Sequence, residues 1–187
     1  MQFEIDPKIR RQGRAPHELA MINLLVFNLL FCMAIIAGTM APKGSLLEHY
    51  KLWSITVPLC LSLCVIGYSF WRSKGATAAG PWFVAAHWTL ATSRYKILMI
   101  AYLVGATLVG LGWLISLSNP KLQELMFVAL VRVAVAPMLI SVMVLAMLES
   151  GALAQAGNGE VSDGVIKRLP PPAGAVAIGS DQPPRAP

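Results

Sequence analysis

The sequence predicts an all-α integral membrane protein: a four-transmembrane-helix bundle with a juxtamembrane cytoplasmic helix and a disordered C-terminal tail. Three observations carry this. Apolar runs at 19–40, 52–70, 97–117 and 125–148 each approach the ~20 residues that cross a ~30 Å hydrocarbon core. The chain is 56% hydrophobic and only 13% charged, with mean hydropathy +0.63, against about 45–50% and about 25% in soluble domains. Lysine and arginine are also one-sided. Eleven fall in the N-terminal segment, the 71–96 connection and the tail, and only Lys43, Lys51 and Lys121 lie in the other two connections. Basic residues resist export, so both termini are expected in the cytoplasm. A spanning β-barrel is excluded, because its strands read as short alternating segments and not as runs of this length.

Residues 1–18 form a cytoplasmic lead with Lys8, Arg10, Arg11 and Arg14 before the first span. Pro16, followed by Glu18, reads as a helix start, since proline suits the first turn and a carboxylate its positive end. The 22-residue apolar core is too long for a cleaved signal peptide, so the first helix stays. Asn23 and Asn28 within it are costly in lipid and are expected to face other helices.

The second helix follows a short outer loop in which Tyr50 and Trp53 suit an interfacial aromatic belt. Cys60 and Cys64 lie one turn apart in it, and with Cys32 they read as small apolar fillers, not as a redox pair. The connection before the third span, "PWFVAAHWTLATSRYK", is helix-compatible from Pro81. It places Phe83, His87, Leu90 and Arg94 on one face and Trp88, Ala91, Tyr95 and Leu98 on another. A continuous helix from Pro81 to Leu117 would be on the order of 55 Å long, so its first part, 81–96, is expected to project from the bilayer or lie on its surface. The third span carries Gly105, Gly110 and Gly112 with Ala101 and Ala106, a seam suited to close helix contact.

"SNPK" predicts a tight outer turn, and the fourth helix is expected to return to Glu149. Beyond Ser150 the chain turns to glycine, alanine and proline, a composition expected to stay disordered over 151–187. Residues 19–150 thus form the membrane domain.

Site chemistry is sparse. Arg132 sits in an apolar run, where its long stem can snorkel outward, bind a lipid headgroup or another subunit, or line a transport path. The three histidines, His17, His49 and His87, cannot place two haem ligands on facing helices within the membrane. His87 is expected at a surface or interface, and Glu149 as a helix-ending carboxylate. No catalytic, cofactor or metal motif is present, and the basic balance follows from membrane orientation, with no nucleic-acid partner implied.

The expected function is therefore a non-enzymatic, multi-pass subunit of a larger envelope assembly, such as a secretion, conjugation or respiratory machine in a bacterial inner membrane. Its partners would be the lipid bilayer and other integral membrane subunits, or copies of itself. Interaction residues expected are Arg132, Asn28, His87, Trp88, Arg94, Tyr95 and Gly105, with 81–96 as a docking helix. A small oligomeric transporter or channel with Arg132 near its path is the first alternative, and a quinone- or lipid-binding accessory protein the second.

Overall fold

The computed structural model describes residues 1–118 and 123–178. Four helices in it are long and apolar enough to cross a membrane. The first is continuous over Pro7–Met40 and comprises α1 (Pro7–Ile22), a π-helical turn (Asn23–Asn28) and α2 (Leu29–Met40). The others are α3 (Leu46–Ala79), α4 (Trp82–Ser118) and α5 (Gln123–Asn158). Short connections make successive helices antiparallel. The α1–α2 helix packs on α3, α4 and α5, α3 packs on α4, and the most extensive contact is α4 on α5. The outer turn expected at Asn119 and Pro120 with Lys121, and Arg185 in the tail, lie outside the described residues.

The first helix starts earlier than Pro16 suggests. Asp6 is its N-cap, its carboxylate accepting from the Lys8 amide at 2.7 Å, and Pro7 occupies the first turn. Proline at that position lacks an N–H that would be unpaired anyway. Pro16 is instead a buried interior residue. Likewise α5 does not end at Glu149 but continues two turns further, to Asn158. Each helix thus extends beyond the ~20 residues a bilayer needs. At about 1.5 Å per residue, 34 residues reach roughly 50 Å.

The extra length gathers at one end, where α1 and α4 begin and α3 and α5 finish. We call it the terminal end. There residues 151–178 are folded, contrary to the disorder that the composition of 151–187 suggests. Beyond α5 come a short helix, α6 (Asp163–Ile166), and a strand, β2 (Ala177–Ile178). The strand pairs antiparallel with β1 (Gln2–Phe3), Phe3 lying opposite Ala177. Val161, Val165 and Leu169 recur at four-residue spacing, and the first two are buried with Phe3, Phe83 and Ala86. Trp82 fixes the arrangement by donating its indole N–H to the Leu169 carbonyl at 2.9 Å. A cap made from both ends of the chain therefore covers α4's first turns. Gly159 makes the corner. Its φ of +75° suits only glycine without strain, and an added Cβ would meet the Phe3 carbonyl oxygen at 2.8 Å.

Further along, the interior is apolar around Leu24, Ile66, Leu98, Val142 and Leu145, then around Phe31, Cys32, Ala101, Val135 and Met138. The outside carries Leu25, Leu30, Met33, Leu103, Ile140, Met143 and other large apolar side chains in the open. That is far more exposed apolar surface than a water-soluble monomer presents.

Candidate functional site: a buried histidine, glutamate and arginine cluster

Two groups of polar residues inside this bundle join helices to one another. The first lies at the terminal end, where α1, α4 and α5 meet. His17, His87 and Glu149 are 0%, 1% and 1% exposed. His17 stands between the other two. Its Nδ1 lies 2.5 Å from Glu149 Oε2 and its Nε2 lies 2.9 Å from His87 Nδ1. Arg94, two turns beyond His87 on α4, places Nη1 3.3 Å from the same Glu149 oxygen and donates to the Leu148 carbonyl at 2.9 Å. One carboxylate oxygen is thus shared between α1 and α4.

Local structure explains the convergence. His87 and Arg94 are two helical turns apart on α4, and so share a face. His17 reaches that face because Gly13, one turn earlier on α1, lets the helices approach closely. A Cβ on Gly13 would stand 2.6 Å from Phe83 Cε1. Phe83 in turn stacks near His87 with ring centroids 4.6 Å apart. Burial holds the His87 imidazole down to about 3. The charge His17 can carry pushes the same way, the Glu160 backbone opposes it, and Arg94 adds a smaller push downward. His87 Nε2 is buried without a hydrogen bond of good geometry; the Glu160 backbone is the polar group that bears on it.

The second group lies deeper in the apolar stretch. The Asn28 amide N–H donates to the Asn23 carbonyl at 2.9 Å and to Ser62 Oγ at 3.0 Å, while Tyr102 donates its hydroxyl to Asn28 Oδ1 at 2.5 Å. Ser62 and Tyr102 are themselves 2.7 Å apart. The knot joins the first helix, α3 and α4. It depends on the π-helical turn. Five residues apart in a regular α-helix, Asn23 and Asn28 would point about 140° apart, whereas the wider i→i+5 turn brings both inward. Both are fully buried. Asn23 Nδ2 and the Tyr95 hydroxyl are buried without a hydrogen bond of good geometry.

Several residues expected to meet partners pack within the chain. His87 is not a surface residue. Trp88 is buried with Ala76, Val84 and Ala85, and Tyr95 with Leu24, Ile66 and Leu98. Gly105 faces α5, where a Cβ would sit 3.5 Å from the Ala134 carbonyl oxygen and 3.6 Å from Met138 Sδ. The 81–96 stretch is thus the core of the terminal end, because α1, α3, α5 and the cap all cover it. Asn28 holds helices together from inside. Cys32 is buried, while Cys60 and Cys64 lie exposed on α3. Glu149, expected only to end a helix, is the hub of the ionic cluster, and His17 had no expected role at all. A sequence-level signal existed only in part: Glu149 is the one carboxylate in the body of a long apolar helix that runs past it, Glu124 lying in that helix's first turn.

Arg132 answers differently. It is exposed, and its Nε donates to Thr39 Oγ1 at 3.1 Å, one residue before α2 ends. The guanidinium therefore lies on the bundle's outer surface near the end opposite the cap. At an exposed site even a full ion pair contributes little, within about 1 kcal/mol. Arg132→Leu is expected to leave abundance in the membrane fraction and the thermal midpoint within a degree or two of wild type. A drop in abundance to below half would show that the charge is needed for folding.

The described residues include no group of three or more histidine, cysteine, aspartate or glutamate side chains able to hold a metal ion. A surface groove of about 150 Å³ runs between α4 and the tail, lined by Thr89, Ser93, Ser162 and Arg168 among others. It is smaller than the roughly 300–1,000 Å³ of small-molecule sites. No protein-family model, curated protein or solved structure matches the chain.

Proposed function

We propose that this chain is a non-enzymatic, multi-pass subunit of a larger membrane assembly, such as a secretion, conjugation or respiratory machine in a bacterial inner membrane, with both termini in the cytoplasm. One observation carries the reading. The buried polar side chains that most often mark a transport path or active site bind one another across helices: Glu149 to His17 and Arg94, and Asn28 to Ser62 and Tyr102. Their hydrogen-bonding capacity holds the bundle in one register, which is the use best attested for buried polar groups in helix packing. What remains for others is the outside: a wide apolar surface, Arg132 near one end, and a folded cap at the other. The excess of Lys and Arg in connections at the terminal end supports placing the cap in the cytoplasm.

The competing channel reading retains one foothold, since a pore formed between copies would be lined by outer surfaces where Arg132 lies. Extraction in a mild detergent, followed by native mass measurement, separates them. The subunit reading expects different membrane proteins in fixed stoichiometry with this chain. Recovery of a pure homo-oligomer that passes ions or solutes in liposomes would replace it with the channel.

A further inference from the structure

The terminal-end cluster contains more ionisable groups than its charges can balance. Arg94 and Glu149 offset one another. His17 and His87 complete the cluster, and both are buried. The titratable and charged groups facing them can be taken element by element. From α5 comes Glu149; from α4, Arg94 and the uncharged phenol of Tyr95. The tail contributes the backbone of Glu160. On α1 itself, Arg14 and Glu18 pair with each other at the surface, 3.5 Å apart. A single carboxylate therefore faces one arginine and two histidines. Since Arg94 and Glu149 already offset one another, a proton added to His87 leaves a buried net positive charge. Such charges are expelled or solvated, not tolerated.

His87 lies at the junction between bundle and cap: Phe83, against its ring, belongs to the same apolar group as Phe3, Val161 and Val165. Lifting residues 1–5 and 159–178 would expose the His87 edge without separating the four long helices.

We propose that His87, held against His17 and Glu149, is a proton-binding switch that unseats the cap when the aqueous phase at the terminal end acidifies. This goes beyond the assembly role and stands independently of it. The sign follows from the position of His87. Its ring is held down to about 3 in the closed form and returns toward about 6.5 when solvated. The open form binds more protons between those values, so closure is complete above about pH 6.5 and weakens below it, the open-to-closed ratio rising about tenfold per pH unit.

The experiment uses the full chain in lipid nanodiscs, with spin labels on Thr77→Cys in α3 and Gly164→Cys in the cap. Cys60→Ser and Cys64→Ser remove the exposed thiols, and Cys32 is buried from the reagent. Pulsed dipolar spectroscopy should give one narrow distance distribution at pH 8. A second, longer population should grow from pH 6.5 to pH 4.5 by about tenfold per unit. His87→Asn keeps an amide N–H donor for His17 Nε2 but cannot titrate, and its distribution should stay narrow throughout. His49→Asn, on a different part of the chain, should behave as wild type. In the unlabelled wild type, ring ¹⁵N shifts of His87 should report charging at the same midpoint as opening. A wild type that stays closed to pH 4.5, an unchanged transition in His87→Asn, or midpoints that disagree would each overturn the proposal. Should His87→Asn not fold, the wild-type distances and ring shifts still decide it.

Discussion

Glu149→Ala is expected to destabilise the bundle by about 3–5 kcal/mol, the usual cost of breaking a buried ion pair from one side. Two groups lose their partner at once. His17 no longer has an acceptor at Nδ1, and Arg94 keeps only the Leu148 carbonyl. Arg94 is 16% exposed at its side chain, so little water reaches it. Glu149→Gln should cost less, because an amide oxygen still accepts from His17. The pair Arg94→Ala with Glu149→Ala should cost less than the two single changes added together, since removing both leaves no orphaned charge. Equilibrium unfolding in mixed detergent micelles measures all four. A Glu149→Ala cost below about 1 kcal/mol, the level of a surface pair, would mean that water reaches the cluster.

Phe83→Ala should cost a comparable amount, about 3–5 kcal/mol for a fully buried phenylalanine, and it carries a second expectation. Gly13→Ala alone forces a methyl to within 2.6 Å of the Phe83 ring and should destabilise by about 1–3 kcal/mol through overpacking. In the Phe83→Ala background the same methyl enters vacated space. The glycine change should then be neutral or slightly favourable, giving a coupling of at least about 1 kcal/mol between α1 and α4. Additive costs would place the two residues apart and remove the close helix approach that lets His17 reach His87.

The four long helices were legible because their signal is local. An uncharged run of about 20 residues is a sufficient statement of a helix that can cross a membrane, and no partner need be known. The ionic cluster was not legible for the opposite reason. His17 and Glu149 lie 132 residues apart, and each alone resembles a boundary residue beside an apolar run. Only the unusual lengths of α1, α4 and α5 bring them to one level. The tail misled through composition. Its prolines and glycines dilute the mean, while Val161, Val165 and Leu169 at helical spacing form one small apolar face, enough when Phe3 and Phe83 wait to receive it. The start of the first helix was missed because Pro16 is the more conspicuous proline, although Asp6 and Pro7 make the better cap.

The cap also sets a timetable. Phe3 hydrogen-bonds to Gly159, 156 residues later, and its strand partner Ala177 is made later still. At about 5–20 residues per second the first segment waits roughly 10–30 s for its partners to emerge. During that interval α1 and α4 can meet, but Phe83 and Trp82 remain uncovered and Glu149 does not yet exist to receive His17. The terminal end is therefore the last part of the molecule to close. A chain that ends after the fourth helix leaves a bundle that is unsealed, with an apolar face available to chaperones and proteases.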